Sequence, residues 1–128
     1  MSYSVGTELP TLKIGEITKP IIAEYSRAAK DLNPMHTDDE FAIMAGYPGV
    51  FAQGMLGMGF LSRHIVGICG VGKLRKIKVR FKTLTWPGET ITCKARVTEV
   101  NGNLVTCDIQ TENQDGEPKV TGTATFEA

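Results

Sequence analysis

Residues 54–66 read GMLGMGFLSRHIV, a segment that would be apolar around most of its circumference as a helix. A helix of this kind is expected to be buried on most sides. Its three glycines each lower helix propensity by about 1 kcal/mol relative to alanine, so local preference does not explain them. Close approach of the helix backbone to a sheet or to a ligand would explain them. We therefore expect this helix to form the centre of the domain.

On the carboxyl side of this helix, apolar and polar residues alternate with a period of two. This alternation is typical of half-buried strands. The chain after Gly72 therefore predicts four strands, whose apolar positions are Ile77, Val79 and Phe81; Ile91, Cys93, Ala95 and Val97; Val105, Cys107 and Ile109; and Val120, Ala124 and Phe126.

The turns between the last three strands set their register, because residues directly opposite each other in a hairpin lie on the same face. A tight two-residue turn at residues 115–116 pairs Cys107 with Ala124, so apolar residues face each other. A three-residue loop at residues 101–103 likewise pairs Val97 with Cys107. The predicted α+β architecture is an antiparallel meander whose apolar face packs on the helix. It fits a hot-dog fold and other α+β folds alike, so topology alone does not name a function.

Two further helices are predicted on the amino side of residue 54. Thr18 can cap the first helix, which should end near Asp31 because the Asn-Pro pair at residues 33–34 disfavours helical geometry. Thr37, which is followed by three acidic residues, predicts the cap of a short second helix that ends at Gly46.

Asp31 and His36 lie on either side of the Asn-Pro pair and are the candidate reactive groups. A carboxylate near the carboxyl end of a helix is disfavoured by roughly 0.3–1 kcal/mol, so helix stability does not select Asp31. The Asn-Pro corner could turn His36 back toward Asp31 and place both groups within reach of one water. Spacing alone leaves an alternative open, in which they are a solvated acid and a histidine that precedes a helix cap.

Three stretches of the chain match one known family in order and spacing. The first has an aromatic residue, then Asp-x-Asn-Pro-x-His, then five residues and a small residue. Its matching positions are Tyr25, Asp31, Asn33, Pro34, His36 and Ala42. The others are residues 51–56 and residues 79–81 with 86–89. Over nearly its whole length, the chain resembles the MaoC-like, (R)-specific enoyl-CoA hydratases of the hydratase 2 family, which include 3-hydroxyacyl-thioester dehydratases.

The resemblance implies one hot-dog domain over residues 1–128, with an antiparallel sheet wrapped around the apolar helix. It also implies hydration of trans-2-enoyl thioesters to (R)-3-hydroxyacyl thioesters, and the reverse dehydration. Asp31 and His36 would hold and activate the water as a coupled pair, and their acid and base roles stay open. The main-chain N–H of Gly54 would bind the thioester oxygen as enolate charge builds.

The substrate-binding residues that the resemblance implies are Asn33, Gln53, Met55 and Ser62. Asn33 would brace the loop, and Ser62 would line the pocket or bond His36, with a packed helical serine as an equal alternative. The chain departs from the family pattern at two positions. Lys30 stands where the family usually has a small residue, and Gln53 stands where it usually has histidine. An ammonium group close to Asp31 would weaken that carboxylate as a base.

The resemblance implies no cofactor and no metal, because the substrate arrives as a coenzyme A or acyl-carrier-protein thioester. It implies a homodimer, and a heterodimer with a related hot-dog subunit is also possible. Two alternative functions stay open, a non-catalytic acyl-thioester-binding or partner subunit and a hot-dog thioesterase. A row of basic residues could meet coenzyme A phosphates or form a solvated face: Lys76, Lys78, Arg80 and Lys82.

The composition of the chain disfavours nucleic acid and membrane partners. The chain has 14 basic and 14 acidic residues, so no long-range field favours nucleic acid or an anionic membrane. We expect no membrane partner, since no apolar run is long enough to span a bilayer. The amino terminus predicts no targeting segment. The three cysteines are widely spaced, which favours a reducing, cytoplasmic location over a disulfide framework.

Overall fold

The secondary structure of the chain is defined by a computed structural model that describes residues 3–128. A 3₁₀ turn at Pro34–His36 separates the first two helices. The elements, numbered along the chain, are β1 (Leu12–Glu16), α1 (Lys19–Ala29), α2 (Asp39–Met44), α3 (Gly54–Cys69), β2 (Leu74–Phe81), β3 (Thr90–Asn101), β4 (Leu104–Glu112) and β5 (Pro118–Glu127).

The strands form one antiparallel sheet in the order β1-β3-β4-β5-β2. The four predicted strands are present and the α+β hot-dog architecture is confirmed. The prediction of a simple meander is wrong, because β2 pairs with β5 and not with β3. A period of two shows which face a strand buries, but it carries no information about the neighbouring strand. β1 was not predicted, since it has only five residues and a register irregularity between Lys13 and Gly15.

The predicted register of both hairpins is confirmed, although their turns differ from the prediction. Val97 pairs with Cys107 and Cys107 pairs with Ala124. The first hairpin closes one residue more tightly than predicted, and a register shift near residue 98 restores the core pairing. The second hairpin has a longer loop at residues 113–117 and a register shift next to Glu112. A bulge inserts one unpaired residue, so it compensates for a turn of different length.

Helix α3 lies on the apolar face of the sheet, where Leu61 and Ile65 are fully buried. The expected close backbone approach is present at Gly57, where an added Cβ would lie 2.7 Å from Val120. At Gly59 an added Cβ would meet nothing within 4 Å among the described residues. The expectation that α3 is buried on most sides is wrong for a single chain. The side of α3 away from the sheet is open, and Met55 is 54% exposed.

The amino-terminal helices begin with side-chain caps. Oγ1 of Thr18 accepts a hydrogen bond from the Ile21 N–H at the start of α1, as predicted. The prediction that Thr37 caps α2 is wrong. Helix α2 begins at Asp39, so the preceding residue Asp38 is its cap and accepts a hydrogen bond from the Phe41 N–H, 3.2 Å long. Thr37 ends the 3₁₀ turn instead, where its N–H donates to the Pro34 carbonyl. Among residues 3–128, no helix has the length and apolar character needed to cross a membrane.

Candidate active site

The loop between α1 and α2 carries the predicted reactive pair. Helix α1 stops at Lys30, which has a left-handed backbone conformation with a φ of 57°. The Asp31 N–H donates to the Ser26 carbonyl, 2.9 Å away, and the Asp31 carboxylate accepts from the Asn33 N–H at 3.3 Å. Asn33 in turn accepts from the Met35 N–H at 3.1 Å. These short-range bonds bend the chain, so the loop turns back on itself before His36.

The His36 ring is held by a backbone carbonyl on a different segment. Its Nδ1 lies 2.7 Å from the carbonyl oxygen of Phe51. A carbonyl oxygen only accepts, so Nδ1 carries the hydrogen and donates. In the neutral imidazole, Nε2 is therefore the atom with a free lone pair. The His36 ring is buried at 9% exposure, so its orientation is set by the surrounding chain.

Nε2 of His36 faces the carboxylate of Asp31 at a distance of 3.8 Å. This separation exceeds that of a direct hydrogen bond. The Asp31 side chain is 40% exposed and the His36 side chain 10% exposed, so the pair lies at the edge of the interior. The structure thus brings together the two predicted groups with the spacing in which one water can contact both. A carboxylate and an imidazole in this arrangement can exchange protons with that water.

Lys30 does not reach this pair. Its side chain is exposed, and among the described residues it forms no ion pair with Asp31. Its left-handed backbone at the end of α1 gives the position a structural role instead. Within residues 3–128, the departure from the family pattern at residue 30 therefore brings no ammonium into ion-pair contact with the Asp31 carboxylate.

Three rings contact the ring of Phe51, the residue whose carbonyl holds His36. The Phe51 ring packs edge-on against His36, with centroids 5.1 Å apart. It also contacts Tyr47 at 5.0 Å and Trp86 at 5.8 Å. Sequence reasoning assigned no role to these aromatic residues. The signal that could have found them is their position inside or beside the matched stretches at residues 51–56 and 86–89.

Gln53 connects the start of α3 to α1. Its Nε2 donates to the Ile22 carbonyl at 3.0 Å and to the Ser26 hydroxyl at 2.7 Å. The side chain is buried at 4% exposure, and its Oε1 has no hydrogen-bond donor among the described residues. The Ile22 carbonyl fixes the amide orientation, because Nε2 is the only donor atom of the Gln53 side chain.

A cavity of about 140 Å³ begins at the amino end of α3. Gln53, Gly54 and Gly57 line one wall, and the ring of Phe81 lies 3.0 Å from where a Cβ on Gly54 would stand. The other lining residues are mostly apolar or small: Ile17, Ala52, Leu56, Phe60, Lys82, Thr83, Leu84, Thr85, Ile91, Thr111 and Val120. The absence of a side chain at residue 54 lets the Phe81 ring pack against the first turn of α3 at the edge of this cavity.

The predicted site residues fall into two groups and two outliers. Asp31, Asn33 and His36 lie in the loop after α1, while Gln53 and Gly54 line the cavity. Residues 51–54 are continuous in sequence, so the Phe51 carbonyl links the two groups. Met55 is exposed at the start of α3, and Ser62 lies about two turns further along this helix. Neither lines the cavity, and Ser62 makes no hydrogen bond to His36 among the described residues.

The chain is similar in sequence to curated proteins that are named as enoyl-CoA hydratases. Enoyl-CoA hydratase 2, peroxisomal, from Arabidopsis thaliana is 37% identical over 94 residues, which are 71% of this chain and 30% of the relative. The chain spans between 13% and 31% of the length of three curated relatives that it matches, including this one.

Two solved structures superimpose on nearly the whole chain. One is the ChsH1-ChsH2 complex from Mycobacterium tuberculosis, with a TM-score of 0.87, 25% identity and coverage of 98% of both chains. The other is the (R)-hydratase from A. caviae involved in PHA biosynthesis, with a TM-score of 0.87, 24% identity and coverage of 98% of this chain and 97% of that chain. At the latter identity the likeness supports the fold alone.

The family model described as MaoC like domain matches residues 3–117. This match includes the loop with Asp31 and His36, the start of α3 and four of the five strands. It leaves out only β5, which completes the sheet. The chain belongs to the MaoC-like domain family.

Proposed function

We propose that this domain adds water to trans-2-enoyl thioesters to give (R)-3-hydroxyacyl thioesters, and catalyses the reverse dehydration. The observation that carries the proposal is the 3.8 Å separation between His36 Nε2 and the Asp31 carboxylate. Two proton-exchanging groups this close can both contact one water that lies to the side of the line joining them, and a hydration site needs such a pair. The names of the relatives support the same reaction class.

In the proposed reaction, the bound water loses one proton to the Asp31–His36 pair while its oxygen forms a bond to C3 of the enoyl group. The electron pair of the C2–C3 double bond shifts toward the thioester, and C2 then takes a proton from the same pair. Both additions occur on one face, so the addition is syn. Because the Phe51 carbonyl occupies Nδ1, Nε2 of His36 is the ring atom that exchanges the proton.

The first turn of α3 supplies the second element of the mechanism. Thioester oxygen gains negative charge as the enolate forms, and a fixed N–H donor at that oxygen stabilises the transition state. The N–H of Gly54 begins α3, where the partial positive charge of the helix is concentrated. We assign Gly54 to this role because it lines the cavity and carries no side chain that would exclude a ligand.

The apolar cavity is the proposed site for the acyl group. Leu56, Phe60 and Ile91 line it, and burial of an acyl chain against such side chains is favourable by about 0.8 kcal/mol per methylene. The carrier is coenzyme A or acyl carrier protein, both of which bring a negative charge. Lys82 lines the cavity and Lys78 is exposed on β2, so either carrier would meet basic groups there.

We propose that the domain works as a dimer. The open side of α3 exposes Met55, and β1 and β2 are edge strands without a second neighbour in the described sheet. A homodimer is the simplest assembly that covers apolar surface of this kind. A heterodimer with a related subunit is favoured by one observation, because the superimposed structure from M. tuberculosis is a complex of two differently named chains.

The unpaired cysteines support a reducing, cytoplasmic compartment.

A spectroscopic assay tests the function. Purified protein is mixed with a short trans-2-enoyl-CoA, and the loss of the conjugated thioester absorbance is followed. We expect that loss, with an (R)-3-hydroxyacyl product and no release of free thiol. Thiol release without hydration would identify a thioesterase. Binding of the thioester without any reaction, for the chain alone and with a related partner subunit, would identify a non-catalytic binding subunit.

A further inference from the structure

Lys119, which the proposed reaction does not use, is 2% exposed. It lies on β5, and its Nζ contacts three acceptors. They are the Leu84 carbonyl at 3.0 Å, a Glu117 carboxylate oxygen at 2.5 Å and a Glu89 carboxylate oxygen at 2.9 Å. An ammonium group has three hydrogens, so its donor capacity is fully used. Removing a lysine from water is costly, so this arrangement needs an explanation beyond a solvated strand face.

Lys119 and Glu89 together hold the connection between β2 and β3, residues 82–89. The carbonyl of Lys119 accepts from the Lys82 N–H at 2.9 Å, at the start of the connection. Glu89 stands at its end and accepts from the Trp86 N–H at 2.7 Å. Side-chain and main-chain atoms of one buried lysine thus fix both ends of this segment.

The same connection reaches the candidate active site by two contacts. The Thr85 carbonyl accepts from the Ala52 N–H at 2.8 Å, and the Trp86 ring packs on Phe51. The 82–89 connection therefore fixes the position of residues 51 and 52. The Phe51 carbonyl in turn receives Nδ1 of His36. Residues 82–85 also line the cavity, so one segment supports both the imidazole and the cavity wall.

We propose that Lys119 and Glu89 form a positioning pair that sets the orientation of the His36 imidazole through residues 82–89 and the Phe51 carbonyl. The proposal rests on the proposed function for its catalytic consequence. A buried ion pair is often no more stabilising than apolar residues of the same volume, and its best-attested use is to specify one arrangement. In this protein, the ion pair would specify the conformation of residues 82–89, which contact residues 51 and 52.

The test uses a double variant that combines Lys119→Met with Glu89→Gln. Both charges of the pair are removed together, so neither is left unpaired. Lys94→Met is the matched control, because Lys94 pairs with Glu112 on an exposed part of the sheet, with 53% of its side chain exposed. We expect the double variant to lose about 10- to 100-fold in kcat, since small misplacements of a reacting group cost rates of this order. The pH profile of kcat should also move, and Lys94→Met should change neither.

A second readout is independent of catalysis. The chain has two histidines, and His64 bonds to the Pro10 carbonyl in a different part of the fold. The imidazole resonances of both are followed by NMR, with His36→Ala used for assignment, in the wild type and in the Glu89→Gln and double variants. We expect the imidazole chemical shifts of His36 to change while those of His64 stay fixed.

The two readouts separate the possible failures. Unchanged resonances, or equal changes at His36 and His64, would overturn the positioning role, because the latter is what a general loss of structure produces. A shift confined to His36, in a protein that hydrates no enoyl thioester, would keep the positioning role and reject the proposed function. Wild-type kcat and pH profile in an active double variant would overturn the proposal directly.

Discussion

The main-chain carbonyl of Phe51 accepts a hydrogen bond from Nδ1 of His36 over 2.7 Å. This contact joins the loop after α1 to the segment that begins α3, although the two residues are 15 positions apart in sequence. It fixes which ring nitrogen carries the hydrogen, and it leaves Nε2 directed at the Asp31 carboxylate.

Replacing either member of the reactive pair should lower turnover strongly. Asp31→Asn and His36→Ala should each reduce kcat by about 10²- to 10⁴-fold, which is the usual contribution of a positioned acid or base. The measurement is the loss of enoyl thioester absorbance under saturating substrate. Asp115→Asn is the control, because Asp115 lies in the exposed turn of the β4–β5 hairpin. Near-normal turnover in either pair variant would remove that residue from the mechanism.

Gly122→Ala should destabilise the protein by about 1–3 kcal/mol or more, as expected for overpacking. A Cβ at residue 122 would overlap the carbonyl oxygen of Lys78 on the paired strand β2, and it would lie 2.8 Å from Val79 Cα. Backbone atoms cannot move aside as a flexible side chain can. The free energy of unfolding in urea measures the effect.

The matched control for this substitution is Gly59→Ala in α3. An added Cβ there would meet nothing within 4 Å among the described residues, and alanine favours a helix over glycine by about 0.5–1 kcal/mol. Gly59→Ala should therefore leave stability unchanged or raise it. Equal loss of stability in the two variants would show that the close approach at Gly122 is not the cause.

Lys119→Met should cost about 3–5 kcal/mol of stability near neutral pH, because it leaves the partly buried Glu89 carboxylate without its cation. Burial alone would raise the pKa of Glu89, but the hydrogen bonds from Asn113, Trp86 and Lys119 outweigh it and lower that pKa below its ordinary value of 4.5. In the same way, burial opposes the charge of Lys119, but its two carboxylate partners raise its pKa above 10.5.

The pH dependence of stability follows from these directions. A carboxylate with a lowered pKa stabilises the fold above its unfolded pKa, and this contribution disappears as the pH falls through the folded pKa. A lysine with a raised pKa stabilises the fold below its unfolded pKa and loses that contribution as the pH rises through the folded one. The stability difference between the wild type and Lys119→Met should thus be greatest between about pH 5 and pH 10. Urea unfolding at pH 3 and pH 7 measures it, and a difference that grows toward pH 3 would contradict the assignment.

The cysteines should differ in reactivity. Burial raises the pKa of Cys93 to about 12 and that of Cys107 to about 11, so neither forms much thiolate near neutral pH. Burial also raises the pKa of Cys69, but that residue is only partly buried. Alkylation of the folded protein at pH 8, followed by mass spectrometry, should modify Cys69 first. Early modification of Cys93 would show that the sheet opens more readily than its packing implies.

The approach of His36 to Asp31 was predictable from local sequence, because the Asn-Pro pair restricts the backbone over a few residues. The Phe51 carbonyl was not predictable as the partner of His36. Every residue has such a carbonyl, so residue type carries no signal for it. Ser62 shows the opposite case: the resemblance implied that it lines the pocket or bonds His36, and among the described residues it does neither.

In the sheet, too, some features were predictable from local sequence and others were not. The core pairing of β3, β4 and β5 was predictable from alternation, even though both turns and the bulges that compensate for them differ from the prediction. The place of β2 beside β5 was not, since alternation is a property of one strand and pairing is a property of two. Lys119 is charged and lies in a strand, a pattern that ordinarily indicates solvent. It is buried because the 82–89 connection folds over it.

The Thr18 cap of α1, the strand faces and the bend at residues 33–34 depend on neighbours within a few positions, so residue identity alone determines them. Strand order, the partner of the His36 ring, the open side of α3 and the burial of Lys119 depend on contacts between distant segments. Such contacts form only when the whole core has packed, because the interactions of any one segment are too weak to stabilise them over alternative arrangements.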